Sequence, residues 1–171
     1  MSRYLLDTNI CVHFLKNEYH IPQQIATVGF ANCYLSELTI AELLFGVANS
    51  ESSRQEANRR AVLELRQTFA ERVLLIGSAF DEYATQKAAL RRMGRPVDDI
   101  DLLIGATALK HGLTLVTRNT RHFVNLAGLP IENWVDQPIT SRIQIIEEPL
   151  PATIISLPLK KKPPRKEEDA S

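Results

Sequence analysis

The chain has 171 residues, 44% of them hydrophobic, and its 20 Lys/Arg are balanced by 20 Asp/Glu. That length supports one domain with a sizeable core, and zero net charge excludes a protein that holds nucleic acid by bulk basicity. No apolar run reaches the roughly 18 residues of a membrane span, and the N-terminus lacks the basic-then-apolar pattern of a secretory signal, so a cytoplasmic protein with no membrane partner is expected. In chain order, the first element is the strand-like run Tyr4–Leu6, which ends on Asp7; apolar spacing resumes beyond Thr8 and Asn9 as if a helix had begun. Cys11 and Cys33 lie in apolar segments without CxxC spacing, which reads as two buried thiols rather than a disulfide or a zinc site.

Further strand-like runs follow at Cys33–Leu35, Val73–Ile76 and Leu113–Thr117, with helical spacing between them. Short apolar strands alternating with helices predict an α/β fold with a mostly parallel sheet covered on both faces. Residues 52–71 place Ala61, Leu65 and Phe69 at four-residue intervals, with Val62 and Leu63 beside them, which predicts a surface helix. Residues 78–94 read as another helix, with Ser78 as its cap and Gly94 as its stop ahead of Pro96. The two expected units are one folded domain at 1–137 and a tail at 138–171. The tail mixes prolines, six Lys/Arg and five Asp/Glu without an amphipathic period, and is expected to be largely disordered.

Three carboxylates stand at element boundaries: Asp7 after the first strand, Glu42 in "LSELTIAELLFG" and Asp101 in "VDDIDLLIGATAL". Each has a structural explanation. Thr39 and Glu42 have the spacing of a capping box, and an acid such as Asp101 in a first helical turn is favoured by the dipole. Taken together they mean more, because open parallel sheets gather ligands beyond the carboxyl ends of their strands. Asp7, Glu42, Asp101 and Asn119, just past "LTLVT", could all reach that edge. Clustered carboxylates raise one another's pKa values unless a cation neutralises them, and oxygen-only donors suit Mg²⁺ or Mn²⁺. The chemistry that fits is hydrolysis of a phosphodiester by metal-activated water. No GxSxG elbow or Gly-rich phosphate loop competes, and His13, His20, His111 and His122 have no metal-ligand spacing. Arg91, Arg92, Arg95 and Arg118 are candidates for phosphate contact near this edge.

The segments "LLDTN", "LSELTIAELLFG", "DIDLLIGATALKHGLTLVTRNTRHF" and "LPIENW", in this order over about residues 3–136, resemble the successive motifs of PIN-domain ribonucleases, specifically the VapC-type toxins of toxin–antitoxin pairs. The resemblance implies a PIN-like three-layer α/β/α fold and a Mg²⁺-dependent endoribonuclease (Mn²⁺ being the alternative ion). The partners it implies are an RNA substrate, a cognate antitoxin protein and a second copy of the chain in a homodimer. By position, Asp7 and Asp101 correspond to the principal metal ligands, Glu42 to the acid that binds or orients a metal-bound water, and Asn119 to a fourth catalytic position that is often Asp. Two alternatives stand beside the toxin reading: a PIN nuclease of housekeeping RNA processing or DNA handling, and a PIN module that binds RNA or protein without chemistry.

Overall fold

A computed structural model describes residues 2–137. The chain runs β1 (Tyr4–Leu6), α1 (Thr8–Leu15), α2 (Ile21–Val28), β2 (Cys33–Ser36), α3 (Glu37–Ala48), α4 (Ser52–Phe69) and β3 (Val73–Leu74). It continues through α5 (Phe80–Arg92), α6 (Asp99–Lys110), β4 (Thr114–Val116), α7 (Thr120–Phe123) and β5 (Ile131–Glu132). All strand pairs are parallel and the sheet order is β3-β2-β1-β4-β5. The chain therefore builds outward from β1 to β3 and returns to the other side of β1 with β4.

The side-chain alternation of the strands sorts the helices into two layers. Tyr4 and Leu6 of β1, Cys33 and Leu35 of β2 and Val116 of β4 pack with Ile10, Phe14, Ile25, Leu43, Leu65 and Phe69 from α1 to α4. Leu5 and Leu115 face the opposite way, onto Leu90, Leu102, Ile104 and Phe123 from α5 to α7. This is the expected α/β/α arrangement. Each fully buried large apolar side chain contributes roughly 1.5–3 kcal/mol, so both layers must be covered for strands this short to persist. Trp134, fully buried, closes the first core: its ring meets Tyr4 at 5.1 Å and its indole N–H donates to Glu132 Oε2 at 2.7 Å. Both cysteines are free and buried.

Several local expectations change in detail. In α4 the buried stripe is Val62, Leu65 and Phe69, while Leu63 is exposed. Helix α5 starts at Phe80, after a 3-10 turn at Ile76–Ala79, so Ser78 does not cap it; the Ser78 hydroxyl instead lies 3.2 Å from His111 Nε2. The expected strand Val73–Ile76 ends at Leu74, because the backbone N–H of Ile76 turns away to Glu37 Oε1 at 3.0 Å. Strand β5 has only two residues, too few for alternation to register in sequence. The expectation for 138–171 lies outside the described residues.

The turn from α1 to α2 is unusual. Asn17, Tyr19 and His20 all have positive φ, at 51°, 55° and 55°. A non-glycine residue in that region costs ~1–2 kcal/mol, with Asn among the best tolerated. The turn is held by Glu18 N–H to His13 O at 2.9 Å and by the His13 Nδ1–Glu18 Oε2 contact at 2.9 Å. Buried Gln24 also donates to Tyr19 O at 3.2 Å and to Trp134 O at 2.8 Å.

Candidate active site

The point where strand order reverses lies between β1 and β4, and it is at such a crevice, beyond the carboxyl ends of the strands, that open α/β sheets hold ligands. Asp7 is the first residue after β1 and Thr117 the first after β4. Their backbones are fixed by the sheet, Asp7 N–H donating to Val116 O at 3.0 Å and Thr117 N–H to Glu132 O at 3.0 Å. Asp7 is also the N-cap of α1: its Oδ1 accepts from Thr8 N–H at 2.8 Å. Its Oδ2 accepts from Thr117 Oγ1 at 2.6 Å and from Asn9 Nδ2 at 2.5 Å.

Asp7 is 4% exposed, and burial pushes its carboxyl up from 3.8 to about 6. Hydrogen bonds from Thr117 and Thr8 oppose that rise, while Asp101 and Glu42 add to it through like charge. The two other acids therefore lie close enough to be felt at Asp7, although they come from α6 and α3.

Glu42 is not a capping residue. Ser36 is the N-cap of α3, its hydroxyl accepting from Leu38 N–H at 3.2 Å, so Thr39 falls inside the helix and is buried. Glu42 sits more than a turn further on, and its carboxylate accepts the Thr8 hydroxyl from the turn after β1. The Thr39–Glu42 spacing matches a capping box, but the cap lies one turn earlier, at Ser36. On α6 the cap is Asp98, whose Oδ1 accepts from Ile100 N–H at 2.9 Å. That leaves Asp101 free to face α7, where its Oδ2 lies 2.7 Å from His122 Nδ1.

Asn119 is brought to the same edge but in a different capacity. It is exposed, caps α7 without a side-chain bond, and donates its backbone N–H to Thr117 Oγ1 at 3.0 Å. Thr117, Asn9 and His122 are the additions that sequence reasoning missed or undervalued. Thr117 reads as the last residue of an apolar strand, Asn9 as a turn former and His122 as an isolated imidazole. The signal for Thr117 was its place: a hydroxyl at the carboxyl end of an expected strand. Arg91 and Arg92 are exposed at the end of α5, Arg95 donates to Asn125 Oδ1 at 2.7 Å, and Arg118 donates its backbone N–H to Asn9 Oδ1 at 3.0 Å.

Among the described residues, no three His, Cys, Asp or Glu side chains stand together as a formed metal cage. The donor set at the crevice nevertheless fits a hard divalent cation. It is carboxylate and hydroxyl oxygen, and a buried carboxylate with two like charges near it is the group that a cation most stabilises in its ionised form.

The PIN domain model matches residues 4–129 of the chain. The chain belongs to the PIN-domain family. Its relatives include VapC ribonucleases. The tRNA(fMet)-specific endonuclease VapC of Shigella flexneri is 32% identical over 137 residues, covering 78% of this chain and 99% of that protein. Ribonuclease VapC2 of Haemophilus influenzae is 31% identical, over 79% of this chain and all of that protein. Among solved structures, DNA-bound VapBC from Salmonella typhimurium matches with a TM-score of 0.66 and 29% identity, over 78% of this chain and 99% of that one. The matched stretch takes in the elements from β1 to α7.

Proposed function

We propose that this PIN-domain chain is a VapC-type endoribonuclease toxin that hydrolyses RNA phosphodiester bonds with Mg²⁺, Mn²⁺ being the alternative ion, and is controlled by a cognate antitoxin. The observation that carries the reading is the buried Asp7 carboxyl at the β1/β4 crevice, raised by burial and by the charges of Asp101 and Glu42. VapC ribonucleases among the relatives and VapBC structures among the neighbours support the RNA substrate and the antitoxin.

Asp7 and Asp101 are the residues that would hold the metal, which when bound would make a water nucleophilic at neutral pH and offset charge on the phosphoryl oxygens. Thr117 and Asn9 hold Asp7 Oδ2 in place, so one carboxylate oxygen is oriented before any ligand arrives. Glu42, drawn in by Thr8, is the candidate to orient the attacking water or to take its proton. His122 orients Asp101 from α7. Asn119 supplies a neutral amide where a fourth acid would stand, which favours a site with fewer charges to offset. The retention of both Asp7 and Asp101 favours a working nuclease over a binding-only PIN module.

The test is incubation of the purified protein with total RNA in Mg²⁺ or in EDTA, with mapping of the new ends. Wild type is expected to cut only with metal, and Asp7→Asn and Asp101→Asn are each expected to lose most cleavage while folding normally. Cleavage by either variant at the wild-type rate in saturating Mg²⁺ would remove that residue from the site. A short antitoxin reading frame beside the gene, whose product suppresses cleavage on mixing, distinguishes a toxin from a housekeeping nuclease.

A further inference from the structure

We propose that Tyr19 and Arg118 form a stacking platform that binds an unpaired base of single-stranded RNA beside the acidic crevice. The inference rests on the ribonuclease reading above and deepens it by locating where the strand is gripped. Three observations converge. Tyr19 is 44% exposed, yet it sits in a turn where it and His20 both take the left-handed backbone, at φ 55°. Strained positions of this kind persist when the surrounding structure over-determines them. Here Gln24 holds the Tyr19 carbonyl, the His13–Glu18 contact ties the turn, and the His13 ring meets the Tyr19 ring at 4.6 Å in an edge-on arrangement. The residue is thus partly open to solvent on a fixed mount.

The second observation is the neighbour. The Arg118 guanidinium carbon lies 5.4 Å from the centre of the Tyr19 ring. Its only acidic contact among the described residues is Asp136, at 4.0 Å, with both side chains about half exposed. An exposed aromatic paired with an exposed guanidinium is the combination that single-stranded nucleic acid uses, the ring and the guanidinium plane stacking bases and the positive charge following phosphate. The third is location. The Arg118 backbone donates to Asn9 Oδ1, and Asn9 donates to Asp7 Oδ2. The platform is thus one arginine side chain away from the backbone that fixes the crevice, which suits a base flanking the bond to be cut. With 20 Lys/Arg balanced by 20 Asp/Glu, net charge supplies no bulk attraction for RNA, and the grip falls to local groups such as these.

The experiment measures binding of a fluorescently labelled single-stranded RNA oligonucleotide to the full-length chain by anisotropy in EDTA, where no cleavage occurs. Tyr19→Asn removes the ring but suits the left-handed backbone, and a thermal melt of the variant checks that it folds. It is expected to bind RNA about 5- to 150-fold more weakly, the range that loss of one base–aromatic stack implies. Tyr19→Phe is expected to bind as wild type. In Mg²⁺, Tyr19→Asn is expected to raise KM with little change in kcat. Wild-type affinity in Tyr19→Asn overturns the proposal. So does a variant that loses only self-association in sedimentation, because the ring then belongs to a protein interface. Failure of the nuclease reading shows separately, as absence of metal-dependent cleavage by wild type while the anisotropy measurement still reports on the platform.

Discussion

Asp7 combines two demands that conflict in the absence of a cation. It caps α1 as a carboxylate, yet burial and the charges of Glu42 and Asp101 push its carboxyl up to about 6. An unfolded aspartate titrates at ~3.9, so between about pH 4 and 6 the native state holds a proton that the unfolded chain has released. The stability this contributes is complete below about pH 4 and is lost as pH rises through 6. A shift of about two units corresponds to ~3 kcal/mol. In chelator, the melting temperature of wild type relative to Asp7→Asn is therefore expected to fall from pH 4 to pH 7, as thermal melts across that range would show; a constant difference would contradict the assignment. Glu42 gives a second residue-scale test, since its partner is the Thr8 hydroxyl and not a helix end. Glutamine can still accept that hydroxyl, so Glu42→Gln is expected to melt near wild type. If Glu42 orients or deprotonates water, RNA cleavage should nevertheless drop about a hundredfold or more. Unchanged cleavage would leave Glu42 a structural partner of Thr8.

At the scale of elements, the site depends on how closely α6 approaches α7 and the turn after it. Gly105 of α6 makes that approach possible: a Cβ there would lie 2.5 Å from Leu126 Cδ2 and 3.4 Å from Phe123 Cδ1. Both neighbours are buried, so neither can swing into solvent. Alanine normally favours a helix interior by ~1 kcal/mol over glycine, but overpacking a core costs ~1–3 kcal/mol. Gly105→Ala is expected to lose up to about 2 kcal/mol in denaturant melts and to cleave more slowly, because displacing α7 moves His122 relative to Asp101. Adding Leu126→Ala opens space at the point of collision. The pair should be less unstable than the sum of the two single changes, and additivity would show that the two side chains do not meet.

At the scale of the whole molecule, the relatives are matched over 99% to 100% of their length while 78% to 79% of this chain is covered. The two hydrophobic layers and the acidic crevice both lie within residues 2–137. A chain ending at Gln137 is therefore expected to fold cooperatively and to cleave RNA at a rate within a fewfold of the full-length protein. Circular dichroism melts and the RNA assay check this together. Loss of the cooperative transition on truncation would make 138–171 part of the folding unit.

Much of this was legible because the residues concerned act locally. Short apolar runs separated by helical spacing, carboxylates at element ends and the order of four motifs pointed to an α/β sheet, to Asp7, Glu42, Asp101 and Asn119, and to the PIN-domain family, and each of those signals survives when the chain is read in isolation. The tertiary structure decided which neighbours those groups have. That β4 lies beside β1 follows from backbone pairing, Leu5 opposite Leu115 and Leu6 opposite Val116, and backbone hydrogen bonds are the same whatever side chains flank them. Only that pairing brings the Thr117 hydroxyl to Asp7 across 110 residues of sequence. The role of Glu42 turned on a comparable choice: the capping-box spacing is a local pattern, and it yielded once Ser36 took the helix end and Thr8 approached from another element. The burial that raises the Asp7 carboxyl belongs to the assembled layers as well, because desolvation is set by everything packed around a group and not by its position in the chain.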